Sequence, residues 1–250
     1  MTSKKILYFV PGTLCNSDLW CRLWPLLSDD YQLVHLAIPV TGNLQQVVNA
    51  MVHEIRDHSA GQSFALLGFS LGGYLASAIS CQFDGQLQKL MVVANSPGVL
   101  PEAELQIRKG IVASLQGQAK AVIGKARVIA MLHPQHRDTA AIISLVQKMD
   151  SCFDKQSLLH HLDELSQRWD LTEQLIRQQR PLWFVRGDRD PLINTAQLQR
   201  LQQESASIKL HQLALCGHFA PLEQPSGLAQ LIRQWMQLPQ SNIKNSSGKT

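Results

Sequence analysis

The sequence has few charged residues, 17% of its 250, whereas 45% are hydrophobic. Disordered chains have the opposite balance, so the composition predicts a packed protein, and the length fits one domain. Basic runs are also lacking, because the 23 Lys and Arg residues are scattered and no more than two of them are adjacent. Nucleic-acid binding is therefore disfavoured despite the net charge of +4.

The five cysteines are odd in number, and none stands in a C-x-x-C pair. This pattern argues against a disulfide framework and against a zinc site, and it fits a reducing cytoplasm. No apolar run approaches the length of a membrane span, and the run after Lys4 and Lys5 is too short for a signal-peptide core. We therefore expect a cytoplasmic protein without a membrane segment, a metal or an organic cofactor.

Short apolar runs alternate with segments of helical spacing. The runs read as buried strands, at residues 6–10, 33–38, 64–67, 89–94, 182–185 and 208–213. Between them, apolar residues recur at helical intervals, beginning with Leu19, Leu23 and Leu26. This order predicts an α/β protein with a mostly parallel sheet that is flanked by helices.

The alternation stops between residues 101 and 180, where only helical patterns occur, at 107–115, 119–132, 139–149 and 158–171. We expect these helices to form an inserted cap over the carboxyl edge of the sheet, where open α/β sheets bind ligands. The alternative is that they cover one sheet face. We expect residues 1–238 to form a single domain and residues 239–250, almost all polar or small, to form a flexible tail.

A G-x-S-x-G motif, Gly68 to Gly72, lies between a predicted strand and a predicted helix. In that setting the motif forms a sharp turn that exposes Ser70 as a nucleophile, and the N–H of Leu71 faces an oxyanion formed beside it. A Gly-rich turn can also bind phosphate, but no Lys follows the glycines. A purely structural turn is the other alternative, so the assignment depends on partners for Ser70.

Two later loops supply such partners. His218 follows the last predicted strand and is the candidate general base, although a loop His is a weak signal by itself. Asp188 and Asp190 follow the preceding strand, and we choose Asp190 as the carboxylate because Asp188 is better placed to close the turn. The order Ser, Asp, His is typical of the α/β-hydrolase fold.

The turn after the first strand offers a further donor, because Gly12 allows the N–H of Thr13 to point towards Ser70 and complete an oxyanion hole. A plain strand terminator is the alternative. His53 and His58 nearly match a zinc-protease motif, but five residues on a helix turn the imidazoles roughly 140° apart. We therefore assign no metal ligands.

These motifs resemble those of the α/β-hydrolase superfamily, from near the N-terminus to about Leu238. More narrowly, the chain resembles bacterial small carboxylesterases of the pimeloyl-carrier methyl ester esterase branch. The shared segments are Pro-Gly-Thr-Leu-Cys, Gly-Phe-Ser-Leu-Gly-Gly, Gly-Asp-Arg-Asp and Cys-Gly-His-Phe-Ala-Pro-Leu-Glu-Gln-Pro. In this family the acid is the residue three after the glycine, which supports Asp190. Pro11 stands where family members commonly have His.

The resemblance implies an α/β-hydrolase fold and a serine hydrolase that cleaves a carboxylic ester through an acyl-enzyme on Ser70. A small-molecule ester or acyl compound is the expected partner, and the acyl group and oligomeric state stay open. One alternative keeps the triad but cleaves a C–C bond or a lactone. Another is a catalytically silent ligand-binding protein. The basic cap residues, Arg108 among them, suit a solvated helix face better than an anion site.

Overall fold

A computed structural model describes residues 4–115 and 124–239 of the chain. In these ranges six strands form one parallel sheet, in the order β2-β1-β3-β4-β5-β6. The strands are β1 (Lys5–Val10), β2 (Tyr31–His35), β3 (Phe64–Phe69), β4 (Leu87–Val93), β5 (Leu182–Gly187) and β6 (Ile208–Leu213). The inner strand β3 is buried at every position because helices cover both sheet faces, which accounts for its nearly unbroken apolar sequence.

The α-helices of the described ranges fall into two groups. Those beside the sheet are α1 (Leu44–Ser59), α2 (Leu71–Ser80), α8 (Thr195–Glu204), α9 (Ala220–Glu223) and α10 (Pro225–Gln237). Those between β4 and β5 are α3 (Glu102–Ser114), α4 (Lys125–Met131), α5 (Ala140–Asp150), α6 (Lys155–Leu162) and α7 (Thr172–Ile176). Within the described ranges, no helix combines the length and apolar character needed to cross a membrane.

The order of the strands brings two loops together. The chain moves outward from β1 to β2, returns to place β3 on the other side of β1, and then continues to β6. The loops after β1 and β3 are therefore neighbours at a switch point, where open α/β sheets form a ligand crevice at their carboxyl edge. Val10 pairs with Gly68 near this edge, so the loop with Gly12 lies beside Ser70.

The core has one large part on each face of the sheet. Alternate residues of β1 divide between them, because Leu7 and Phe9 pack with Trp235 of α10 on one face. Ile6 and Tyr8 pack on the opposite face against α1 and α2. A capping box, in which the side chains of Asn43 and Gln46 each accept an N–H of the other, fixes the start of α1.

Three elements differ from the sequence-based expectation. The second strand is Tyr31–His35 rather than 33–38, since its partner β1 stops before Pro11, which has no N–H to continue the ladder. The spacing of Leu19, Leu23 and Leu26 predicted an α-helix, but two 3-10 helices form there, Ser17–Trp20 and Trp24–Leu26. Pro25 would interrupt the interior of a continuous helix.

The predicted helix 158–171 is also wrong in its second half. α6 ends at Leu162, and a 3-10 helix, Glu164–Ser166, follows. Leu158 and Leu162 pack in a small cluster that includes Leu14. Leu165 and Leu171 instead pack in the core on the face of the sheet covered by α1 and α2. One straight helix cannot serve both clusters, and the chain bends between them.

The described part of the segment between β4 and β5 consists of helices joined by loops and contains no strand, as expected for residues 101–180. Residues 116–123 lie outside the described ranges, so the predicted helix 119–132 is seen from Lys125 onward. Of the expected tail, residues 239–250, all but the first residue also lie outside them.

Gly72→Ala tests the close approach between α2 and β1. A Cβ at Gly72 would overlap the carbonyl oxygens of Pro11 and Val10, which are backbone atoms and cannot rotate away. We expect the free energy of unfolding to fall by about 1 to 3 kcal/mol or more, the range for overpacking of a filled interior. Urea denaturation followed by circular dichroism measures this loss.

Gly85→Ala is the matched control, because no atom lies within 4 Å of a Cβ placed there. We expect its stability to stay within about 0.5 kcal/mol of the wild type. Equal stability of the two variants would contradict the proposed backbone contact.

Candidate active site

Ser70 occupies a sharp turn between β3 and α2. Its backbone has φ 53° and ψ −121°, a conformation that costs a residue with a side chain about 1 to 3 kcal/mol. Side chains at Gly68 or Gly72 would overlap the surrounding backbone, so both positions require glycine. The turn places Ser70 at the N-terminus of α2, whose positive end favours an anion.

The structure brings Ser70, His218 and Asp190 together. The Oγ of Ser70 lies 3.0 Å from Nε2 of His218. The Nδ1 of His218 lies 3.0 Å from Oδ2 and 3.1 Å from Oδ1 of Asp190. The side chains of His218 and Asp190 are 5% and 0% exposed, so little water competes for these bonds. A carboxylate bound to Nδ1 leaves Nε2 unprotonated and able to accept the serine proton.

Asp188 has a different position, although it is only two residues away. Its Oδ1 accepts the backbone N–H of Cys216 at 2.9 Å and thereby joins the loops after β5 and β6. Burial raises the pKa of Asp188, whereas hydrogen bonds from the backbone N–H groups of Cys216 and Leu215 lower it. The lowering contributions together exceed the effect of burial, so the pKa lies below the usual value for an aspartate. Asp188 therefore remains a carboxylate that closes the loop, and Asp190 contacts His218.

The loop that carries His218 is held by a buried glutamate that sequence reasoning missed. Oε2 of Glu223 accepts the N–H groups of His133 and Gly217 at 2.8 and 2.9 Å, and Oε1 accepts that of Phe219 at 2.9 Å. Glu223 is 4% exposed. Its place in the Phe-Ala-Pro-Leu-Glu segment was visible, but nothing in the sequence indicated that its carboxylate faces the loop.

The same loop is hydrogen-bonded to the segment between β4 and β5. The N–H of His218 donates to the carbonyl of Met131 at 2.8 Å, just where α4 ends. Glu223 reaches His133 in the next turn of the chain. The histidine loop, α4 and α9 thus form one hydrogen-bonded unit.

Gly12 and Thr13 lie beside Ser70, as the sequence predicted. A Cβ at Gly12 would be 3.0 Å from the ring of Phe69 and 3.2 Å from Cβ of Ser70. The turn at Gly12 therefore packs tightly against the turn that carries Ser70. Thr13 borders a cavity together with Ser70. Leu71 is the first residue of α2, and its N–H is one of those that an α-helix leaves without an internal partner.

His161 of α6 supports this turn. Leu14 has φ 50°, and its N–H donates to Nδ1 of His161 at 3.3 Å. Burial, with a smaller contribution from neighbouring His160, lowers the pKa of His161 to about 4. His161 is consequently neutral near pH 7 and can accept this hydrogen bond, so α6 stabilises the strained turn.

Two cavities open beside Ser70 and His218. The first, of about 330 Å³, has a mostly apolar wall that includes Leu115, Met131, Leu158, Leu162 and Phe219. The second, of about 310 Å³, includes Asn95, Ser96, Arg168 and Gln197. Both also include Arg108, which pairs with Glu104 at 2.9 Å and is 13% exposed in its side chain. The interpretation of Arg108 as part of a solvated face is therefore wrong.

Within residues 4–115 and 124–239, no group of three His, Cys, Asp or Glu side chains is arranged to hold a metal ion. His53 instead pairs with Asp57 on the exposed side of α1.

Glu223→Gln tests the role of Glu223 in holding the His218 loop. A glutamine has one acceptor oxygen and one amide donor, so whichever way it turns, at least one backbone N–H faces another donor. We expect a loss of about 1 to 3 kcal/mol in the free energy of unfolding, since a buried donor is left unpaired. Denaturant titration gives the value.

Glu204→Gln is the same substitution on a surface, where Glu204 pairs with Arg200 of the same helix. We expect a change of at most about 0.5 kcal/mol there. A comparable loss in the two variants would show that Glu223 holds nothing that a surface glutamate does not.

Comparison with known proteins places this geometry in a family. Residues 7–231 match the model of the alpha/beta hydrolase family. An uncharacterized hydrolase of Bacillus subtilis (strain 168), YugF, is 21% identical over 247 residues, with 93% of this chain and 90% of YugF covered.

Solved structures share the fold. A thermophilic esterase from Thermogutta terrifontis superposes with a TM-score of 0.81 at 17% identity, covering 94% of this chain and 90% of the esterase. The enol-lactonase from Burkholderia xenovorans LB400 gives 0.82 at 11% identity, covering 94% and 92%. The family match spans most of the chain, and the protein belongs to the alpha/beta hydrolase family.

Proposed function

We propose that the protein is a serine hydrolase that cleaves carboxylic esters, with Ser70 as nucleophile, His218 as general base and Asp190 as its orienting carboxylate. The observation that carries the proposal is the continuous chain of hydrogen bonds from Ser70 through His218 to Asp190, which begins at a strained turn. A purely structural loop has no need of a buried carboxylate and imidazole aligned on one hydroxyl that borders two cavities.

In the proposed reaction, Oγ of Ser70 attacks the ester carbonyl carbon as Nε2 of His218 takes the hydroxyl proton. The imidazolium then returns that proton to the leaving alcohol, and an acyl-enzyme remains. Water attacks the acyl-enzyme with His218 again as base, releasing the acid and restoring Ser70. Asp190 fixes the tautomer of His218 and stabilises the imidazolium.

The oxyanion of each tetrahedral intermediate would accept the N–H groups of Leu71 and Thr13. Support for Leu71 comes from its place at the start of α2, and support for Thr13 comes from its place in the cavity wall beside Ser70. Donors of this kind lower the barrier because they are already oriented when the charge develops.

Three narrower statements also belong to the proposal, each with its own support. The shared motifs support a place in the pimeloyl-carrier methyl ester esterase branch. The free state of all five cysteines supports a cytoplasmic location. The helices between β4 and β5 support a single domain over residues 1–238 with a cap at 101–180.

Labelling with a fluorophosphonate tests Ser70, because the reagent reacts with activated serines. We expect the wild type to be labelled and Ser70→Ala to be unlabelled, and we expect ester turnover to fall by about 10⁶-fold in the variant. Short and medium p-nitrophenyl esters give the turnover, and an enol-lactone and a diketone assayed beside them separate ester hydrolysis from the two other reactions.

Ser77→Ala is the control, since Ser77 lies on the same helix and donates to the carbonyl of Gly73 rather than facing His218. We expect it to be labelled like the wild type. If folded wild-type protein is not labelled, the chain is a silent ligand-binding member of the family, and the proposed function is wrong.

Asp190→Asn and Asp188→Asn compared side by side test the carboxylate. We expect Asp190→Asn to lower kcat by about 10⁴-fold, since an amide at this place favours the wrong tautomer of the imidazole. Asp188→Asn keeps an oxygen for the N–H of Cys216, so a loss of less than about tenfold is expected. A larger loss in Asp188→Asn would reverse the assignment.

A further inference from the structure

The second cavity beside Ser70 contains several polar groups without partners. Nε of Arg168, Oδ1 of Asn95 and Oγ of Ser96 are buried, and none has a hydrogen-bond partner among the described residues. Buried polar atoms in folded proteins are nearly always paired, with protein, water or ligand. Arg168, Asn95 and Ser96 all belong to the wall of this cavity, so the wall has hydrogen-bonding capacity that contacts among the described residues do not use.

The charges of this wall specify the sign of a group that would bind there. Arg168 and Arg108 both line the cavity, and Glu104 is the carboxylate beside them. Arg108 uses its Nε for Glu104 and its Nη1 for Ser166, both at 2.9 Å. Asp190, nearby, is bonded to His218. Two guanidinium groups thus share one carboxylate, which leaves a net positive charge at the cavity.

Arg168 is the group without a counter-ion. Its guanidinium carbon lies 4.6 Å from the centre of the Tyr74 ring, and it forms no ion pair with a described carboxylate. Burial and the neighbouring charge of Arg108 lower the pKa of Arg168 to about 9, so the group is still a cation at neutral pH. The cost of holding this cation close to another is recovered when an anion enters.

We propose that Arg168, with Arg108 beside it, forms a subsite for a carboxylate carried by the substrate, so that the preferred ester is a monoanion. This inference rests on the proposed ester hydrolysis at Ser70. The planar guanidinium of Arg168 suits a carboxylate, with which it can form two parallel hydrogen bonds. Asn95 and Ser96 offer the remaining polar contacts.

The first cavity adjoins the second, because Ser70, His218 and Arg108 belong to the walls of both. Both walls are mostly apolar, but Arg168, Asn95 and Ser96 belong to the second cavity and not to the first. A substrate would therefore place its carboxylate in the second cavity and the group on the other side of its ester bond in the first. The carboxylate can belong to the acyl group or to the alcohol, and matched substrates distinguish these sources.

The test compares two pairs of esters that differ in charge. The first pair is ethyl hydrogen adipate, which has a carboxylate on the acyl side, and ethyl hexanoate, which has none. The second pair is 3-acetoxybenzoate, which has a carboxylate on the alcohol side, and its uncharged methyl ester. We expect wild type to prefer the acid in one pair by about tenfold or more in kcat/KM, the size expected for one charge-assisted hydrogen bond. Arg168→Met should abolish this preference.

Two further variants serve as controls. Arg168→Lys keeps the charge but loses the planar fork, so we expect an intermediate preference. Arg177→Met removes an arginine that directly follows α7, is 79% exposed in its side chain and pairs with Glu173, and it should keep the full preference. Absence of an acid preference in both ester pairs, or an equal loss in Arg168→Met and Arg177→Met, would overturn the subsite.

Binding to the Ser70→Ala protein separates the subsite from the chemistry. Calorimetry with ethyl hydrogen adipate and with 3-acetoxybenzoate should detect binding of at least one of these acids to Ser70→Ala. We expect the affinity for that acid to fall by about tenfold or more in the double variant that also carries Arg168→Met. Such binding without ester turnover in the wild type would retain the subsite and reject the proposed function. Turnover with no Arg168-dependent preference would retain the function and reject the subsite.

Discussion

The close approach of α2 to the ends of β1 and β3 is the constraint on which the candidate site depends. At Gly72 the helix meets the carbonyl oxygens of Val10 and Pro11, and at Gly68 the strand meets the helix backbone, with no space for a side chain at either place. The chain can turn from β3 into α2 within one residue only because of this contact. Ser70 is that residue, and its positive φ is the result.

Each part of the site follows from this turn and from the order of the strands. The switch in strand order places the Gly12 loop beside Ser70. The pairing of β5 with β6 places the loops with Asp190 and His218 next to each other at the same edge. Hydrogen bonds of Asp188 and Glu223 then hold these loops in place, so that two carboxylates support the geometry and a third contacts the imidazole.

The sequence predicted the features that have local patterns. The six strands were predicted because buried parallel strands have apolar sequences. The turn at Ser70 was predicted because it leaves no space for side chains beside the serine and therefore requires glycines at fixed positions. Sequence-based prediction failed where contacts between residues far apart in the chain determine the structure. The helix predicted at 158–171 is interrupted because its leucines pack in two different clusters. Near Pro25, two short 3-10 helices form in place of the predicted α-helix. The contacts of Glu223 and Arg168 could not be predicted, because no sequence pattern shows where either side chain points, and His133 and Tyr74, which they contact, lie far away in the chain.

The hydrogen bonds between the His218 loop and the end of α4 have a mechanical consequence. A rigid-body movement of α4 away from the sheet would have to break the bond from His218 to Met131, and a movement of the turn after α4 would have to break the bond between His133 and Glu223. These bonds therefore anchor the end of α4 to the loop that carries His218. A substitution that displaces the end of α4 would consequently also disturb the position of the imidazole relative to Ser70.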